Sequence, residues 1–310
     1  MTSGACCPAV VVAVCTYNRH EPLAVLLEAL VTNAARLSGR ARIGVVVVDD
    51  STEGNARAVA ERFSARFELG VMYRVSGRQN IALARNLALE TAIGIADWIA
   101  MTDDDCEPAP QWLEELLDTQ RRTGSDAVTG LMVRRVPPGS PRWLTDEPFL
   151  EIGLEYQDDG VEVPCAATHN SLVSGRWLRE HPEVRFDPAF GVTGGEDPVF
   201  YRSAHAAGLR ITYALRAVVH ENEPPSRATL GYQLRMFFWL GNSASITSME
   251  SGVHPLRMCL HGCRLLVRAL LRPLARLASG KRPQLRYGLA SMLRAAGVIS
   301  GPLGVRVSHR

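Results

Sequence analysis

Lysine is nearly missing from this chain of 310 residues: Lys281 stands alone among 34 basic residues, and the other 33 are arginines. That imbalance follows from coding bias as readily as from function, and a formal net charge of +2 is too small to imply nucleic acid as a partner. Long apolar runs are also lacking, and none reaches the roughly 18 to 20 residues that a membrane-spanning helix needs. The first apolar run, Val10–Val14, has no basic region before it and leads straight into Thr16-Tyr17-Asn18-Arg19, which argues against a signal peptide and for a buried first strand. Cysteine is sparse and unpatterned. Cys6, Cys7, Cys15, Cys106, Cys165, Cys259 and Cys263 are odd in number and in no zinc spacing, so they are expected as reduced thiols in a cytoplasmic protein. No internal repeat or low-complexity segment occurs.

A hydrophobic fraction of 46% supports a packed core, and the length exceeds that of one ordinary core. Three short apolar runs, Val10–Val14, Ile43–Val48 and Trp98–Met101, suit buried strands. Helical patterns over Leu23–Leu37, Ala56–Phe67 and Ala82–Thr91 lie between them. Strands alternating with helices imply a parallel sheet, whose ligands bind beyond the carboxyl ends of the strands. Those ends carry Thr16-Tyr17-Asn18, Asp49-Asp50 and Asp103-Asp104-Asp105. After Pro108 the alternation fades: Trp112–Thr119 reads as helix, Ala127–Val136 as extended and Pro137–Pro164 as loop. Asp197-Pro198 resembles a helix start with Asp as cap, and Arg210–Val219 a strand. From Thr229 onward the chain reads as helices broken near Pro255, Pro273 and Pro283.

The triple aspartate is the most informative stretch. Side chains alternate along an extended chain, so Asp103 and Asp105 can point the same way. Two carboxylates held together call for positive charge between them, which a hard divalent cation carrying a diphosphate supplies. The alternative is a solvated turn before Pro108.

Thr16-Tyr17-Asn18-Arg19, Val48-Asp49-Asp50-Ser51, Ala84-Arg85-Asn86, Asp103-Asp104-Asp105 and Gly195-Glu196-Asp197, in that order, resemble the motifs of family 2 glycosyltransferases of the GT-A fold, in particular the non-processive bacterial group that builds exopolysaccharides. The resemblance spans about Val10 to Asn242. It implies an α/β fold, a mostly parallel sheet flanked by helices, with a helical C-terminal extension. The domains expected are a catalytic domain over 1–225, split into a nucleotide-binding half (1–107) and an acceptor half (108–225), and a helical region over 226–310. The donor would be a nucleoside-diphosphate sugar, with UDP-sugar as the default, and Thr16, Tyr17, Asn18, Arg19, Asp50, Arg85, Asp103 and Asp104 would bind it. Asp50 could instead cap a following helix, and Arg85 could be a solvated helix-face arginine. Mn²⁺ or Mg²⁺ would be held by Asp105 first, with Asp103 and a late histidine, His220, as further ligands. Asp197 would act as general base and Glu196 would hold the acceptor hydroxyl; a helix cap at Asp197 competes with that role. Asn170 matches a pocket-lining asparagine of the family. Trp143, Tyr156, Trp177 and Trp239 are either sugar-stacking faces or core.

Processive members of the family carry Gln-x-x-Arg-Trp and spanning helices. Here Gln233 is followed by Leu234-Arg235-Met236-Phe237, so one sugar per encounter is expected. The acceptor would be a saccharide, lipid-linked or small-molecule hydroxyl. Arg264, Arg268, Arg272 and Arg276 recur every four residues among leucines, a pattern that suits either peripheral contact with the inner face of a membrane or packing on the catalytic domain. Two other functions fit the same fold: a sugar-nucleotide nucleotidyltransferase, which would want a glycine- and lysine-rich loop after the first strand, and a catalytically inactive binding or scaffold subunit.

Overall fold

The structure is a computed structural model that describes residues 7–151 and 157–308, so Cys6 and Tyr156 lie outside the described residues. In chain order the strands are β1 (Ala9–Thr16), β2 (Arg42–Asp49), β3 (Val71–Val75), β4 (Trp98–Met101), β5 (Cys106–Pro108), β6 (Ala127–Arg135), β7 (Glu162–Val163), β8 (Ser171–Ser174) and β9 (Ile211–Asn222). The helices are α1 (His20–Arg36), α2 (Arg57–Arg62), α3 (Ile81–Ile93), α4 (Trp112–Thr123), α5 (Arg142–Asp146), α6 (Gly175–Glu180), α7 (Glu196–Ala206), α8 (Leu230–Glu250), α9 (Pro255–Ala278) and α10 (Leu285–Ser300). They fall into two compact units. The first takes the chain as far as Val133, the stretch closing at Gly191, and Glu196–Asn222; the second takes the stretch opening at Arg134, Val192–Gly195, and the chain from Glu223 onward.

The first unit is built on a sheet in the order β3-β2-β1-β4-β8-β6-β9-β5, with β7 on β9. β3, β2, β1 and β4 are parallel, whereas β8 runs antiparallel to β4 and to β6, and β5 runs antiparallel to β9. The sheet is therefore parallel in its first half and mixed as a whole. β1 shows why its sequence is apolar throughout. Val10, Val12 and Val14 face a core that includes Leu23, Leu26, Leu27 and Leu30 of α1, while Val11 and Ala13 face Ala82, Ala84 and Ala88 of α3. Each of the four α1 leucines is fully buried and contributes about 2 kcal/mol before the entropic cost of ordering. The alanines of α3 let that helix lie close to the sheet, and Asn80 caps its start by accepting from the Leu83 N–H at 3.2 Å.

In the second unit α8 and α10 cross where both carry glycine. A Cβ on Gly241 would stand 2.0 Å from the Arg294 carbonyl oxygen, and one on Gly297 would stand 2.1 Å from that of Phe238. Phe149, Phe237 and Tyr287 pack edge to face beside this crossing, with ring centroids 5.5 to 5.7 Å apart. α9 runs unbroken through Pro273, contrary to the break expected there. The proline ring lies over α10 at Gly288, so tertiary packing offsets a backbone cost that would end an isolated helix. Among the described residues no helix is long and apolar enough to cross a membrane.

Candidate active site

Asp103, Asp104 and Asp105 follow the end of β4 and separate it from β5. The middle residue turns inward. Asp104 accepts from the Thr16 hydroxyl at 2.8 Å and from Arg19 Nη1 at 2.8 Å, and only 4% of it is exposed. Burial pushes its carboxyl up to about 6; Arg19 pulls it down and Asp105 pushes it further up. Arg19 also donates to Asp105 Oδ2 at 2.9 Å, so the loop after β1 holds two of the three acids. Burial works against the Arg19 charge, but Asp104 and Asp105 outweigh it and raise its pKa.

Arg85 takes hold of Asp103, its Nη2 donating to Asp103 Oδ1 at 3.1 Å. Its Nη1 donates to Glu196 Oε1 and to Asp197 Oδ1. One guanidinium, buried on the inner face of α3, thus ties the acid at the end of β4 to the two that begin α7. Burial disfavours its charge, yet Asp197, Glu196 and Asp103 more than compensate and raise its pKa. The solvated helix-face position considered for Arg85 does not occur.

Asp197 does not precede α7 as a cap; the helix begins at Glu196. Its second oxygen, Oδ2, accepts from the Thr168 N–H at 3.0 Å and the Thr168 hydroxyl at 2.7 Å. Glu196 is 8% exposed, its Oε2 is buried, and among the described residues that oxygen accepts no hydrogen bond. Burial raises the Glu196 pKa; Arg85 lowers it and Asp197 raises it. Gly194 and Gly195, directly before this motif, both have positive φ, +81° and +99°, a backbone turn that side chains with a Cβ resist.

At the end of β2 the two aspartates divide their work. Asp49 accepts from the N–H groups of Ser51 and Ala56, both at 2.9 Å, and from the Tyr73 hydroxyl at 2.7 Å. Burial would raise its pKa, but these three donors hold it low. The chain leading into α2 is therefore supported by Asp49, and Asp50 is not the cap. Asp50 Oδ1 instead accepts from the Ser76 hydroxyl at 2.8 Å and the Arg78 N–H at 3.2 Å. Tyr17 stays 37% exposed, and Asn18, at φ +55°, accepts from Asn55 Nδ2 at 3.0 Å.

His220 lies on β9 opposite Glu107, two residues before Asn222, whose N–H donates to the Asp105 carbonyl at 3.0 Å. Among the described residues no three His, Cys, Asp or Glu groups stand close enough to hold a metal ion, so Asp103, Asp105 and His220 do not form a ready-made cage. The reason is visible in the pairing: Arg85 draws the Asp103 carboxylate and Arg19 draws that of Asp105.

Asn170 does not line a pocket. It is fully buried, accepts from Trp112 Nε1 at 2.7 Å and donates to the carbonyls of Leu131 and Ala217 at 2.9 and 2.8 Å. Trp177 stacks on His181 in the core, and Trp143 packs edge-on against Phe149. Trp239 donates to the Thr193 carbonyl at 2.7 Å, and its ring lies where a Cβ on Gly194 would fall. Trp177 and Trp143 pack, whereas Trp239 also lines a cavity together with Tyr232, Leu234 and Arg235. Thr168, bonded to Asp197 through its N–H and its hydroxyl, carries no distinguishing signal in the sequence beyond its nearness to His169-Asn170-Ser171.

The family model described as "Glycosyl transferase family 2" matches residues 11–181. The chain is 33% identical over 299 residues to the succinoglycan biosynthesis protein ExoM of Rhizobium meliloti (strain 1021), covering 95% of this chain and 93% of that one. It is 29% identical over 207 residues to the glycosyltransferase AglE of Haloferax volcanii, covering 67% and 64%. Crystal structures of S. aureus TarS 1–349 in complex with UDP and with UDP-GlcNAc superpose with a TM-score of 0.53 each, at 16% and 15% identity, covering 94% of this chain and 90% of those. These last two share the GT-A fold with the mixed sheet and flanking helices seen here. By the match to its family model and the likeness to ExoM, the chain belongs to glycosyl transferase family 2 and is a glycosyltransferase.

Proposed function

We propose that this glycosyltransferase is inverting, metal-dependent and non-processive, moving one sugar from a nucleoside-diphosphate donor to a hydroxyl of a saccharide, lipid-linked or small-molecule acceptor. The observation that carries the reading is the Arg85 bridge, which joins Asp103, just past the end of β4, to the Glu196-Asp197 pair. A transfer with inversion needs the leaving diphosphate and the attacking hydroxyl on opposite faces of one sugar carbon, and these two acidic groups suit the two tasks. Tyr17 and Asp50 are assigned to the nucleobase, with Thr16, Asn18 and Arg19 supporting that loop. The domain reading is a catalytic domain over 1–225, followed by the C-terminal helices.

Five carboxylates meet two arginines in this site, which leaves an excess of negative charge. Hard oxygen donors with such an excess fit Mn²⁺ or Mg²⁺, ions commonly held by one or two carboxylates together with substrate phosphates. Asp105 is assigned as the first ligand, and Asp103 and His220 as further ligands that would have to leave their present positions to join it; when bound, the ion would supply Lewis-acid stabilisation of the leaving diphosphate. Asp104, turned inward, braces Arg19. Asp197 takes the proton of the acceptor hydroxyl, oriented by Thr168 and Arg85. The buried Oε2 of Glu196, which accepts no hydrogen bond among the described residues, suits an acceptor O–H. That same oxygen, on a carboxyl whose pKa burial raises, favours a second assignment in which Glu196 is the base.

Incubation with a panel of nucleoside-diphosphate sugars and Mn²⁺ tests the activity by release of free nucleoside diphosphate. Release with one nucleotide base, abolished by a chelator, is expected. No release with any donor, with or without saccharide acceptors, would make the chain a scaffold subunit.

A further inference from the structure

α9 presents its apolar side to solvent. Leu256, Leu260, Val267, Leu270, Leu274 and Leu277 are 50 to 62% exposed and recur at three-, four- and seven-residue spacing, so they form one stripe. The side of α9 turned inward carries Met258, Gly262 and Ala269, and a Cβ on Gly262 would stand 2.5 Å from Ile299 of α10. A surface helix ordinarily buries its leucines and shows its polar face; this one does the reverse. Beside the stripe, on its flank, lie Arg257, Arg264 and Arg268, all exposed and making no ion pair among the described residues. Arg272 and Arg276 belong elsewhere: the first stacks over Tyr287 at 4.4 Å, and the second donates to the Arg282 carbonyl at 2.7 Å.

Charge decides what covers the stripe. After Glu250 the chain holds ten arginines and Lys281 but no Asp or Glu. A second copy docked on this face would bring together two segments that each carry positive charge and no Asp or Glu to pair with it. An anionic bilayer accepts both features, leucines in the acyl boundary and arginines among the headgroup phosphates. We infer that the outward face of α9 is a docking surface for anionic lipid bilayers, with the leucine stripe inserted and Arg257, Arg264 and Arg268 on headgroups. This surface acts without donor or acceptor, so its failure leaves the transferase reading standing, and the reverse holds too.

Co-sedimentation of the full chain with phosphatidylcholine vesicles, with and without phosphatidylglycerol, tests the inference. Binding to the anionic vesicles in low salt, fading as salt rises, is expected, with little on the neutral ones. Arg257→Gln, Arg264→Gln and Arg268→Gln together should weaken it about 10²-fold. Leu270→Glu with Leu274→Glu, both at solvent-facing positions, should abolish it while circular dichroism and nucleotide binding stay those of the wild type. Binding that survives the paired glutamates, or no binding by the wild type, overturns the inference. A wild-type dimer that those glutamates dissociate, with vesicles ignored, overturns it in favour of a second copy.

Discussion

Arg85 sets one positive charge against three carboxylates, and its planar fork lets it face all three. Arg85→Met leaves those acids facing each other in a largely buried site, which should cost about 3 kcal/mol or more, read as a fall in denaturant midpoint. Arg85→Lys keeps the charge but not the fork; turnover should fall by about 10²-fold through misplacement of the acids, with a smaller loss of stability. Asp197→Asn keeps size and polarity but cannot take a proton, so turnover should drop by about 10²- to 10⁴-fold with donor affinity intact. If Asp197→Asn stays within a few-fold of wild type while Glu196→Gln takes the larger loss, the base is Glu196. Asp104 gives a pH signature. Its folded pKa of about 6 lies above the roughly 3.9 of an ordinary aspartate, so the fold holds this proton more tightly than the unfolded chain does. Its contribution to stability therefore falls as pH rises from about 4 to 6. Urea midpoints over that window should carry a downward component in the wild type that Asp104→Asn lacks; identical slopes would refute the assignment.

Among elements, those whose patterns met their packing were legible in the sequence. β1, β2 and β4 fall on their apolar runs because each is buried on both faces, and α1 follows its leucines. β3 and β8 are not legible. β3 is a short edge strand beside β2, and β8 (Ser171-Leu172-Val173-Ser174) carries only two apolar residues between serines, which leaves no run to detect. Its antiparallel pairing with both β4 and β6 ends the run of parallel strands. α9 misleads in another way, since Pro273 is a strong local stop overridden by packing. The α8–α10 crossing yields a direct check. Gly297→Val forces a side chain against the Phe238 carbonyl and should destabilise by about 1 to 3 kcal/mol or more through overpacking, seen as a lower melting temperature. An unchanged melting temperature would mean that the helices do not approach so closely.

For the molecule as a whole, the acidic motifs were readable because each sits at the end of a strand or the start of a helix, where chain pattern marks position. Their mutual connection was not readable: Arg85 lies 18 residues from Asp103 and 111 and 112 from Glu196 and Asp197, distances that only the fold closes. Thr168 is illegible in the sequence for the same reason, and so is the burial of Asn170, because a motif match does not tell which way a side chain faces. A saturating nucleoside diphosphate, bound to the fold alone, should stabilise the protein by about 2.7 kcal/mol at 100 times its Kd, so thermal shifts across nucleotides will name the base. The most direct measurement is calorimetric titration of UDP, with and without Mn²⁺, into the wild type, Asp105→Ala and Asp197→Asn. The wild type and Asp197→Asn should bind tightly with Mn²⁺ and weakly without it, while Asp105→Ala binds weakly in both conditions. Mn²⁺-dependent affinity at wild-type strength in Asp105→Ala would contradict the account.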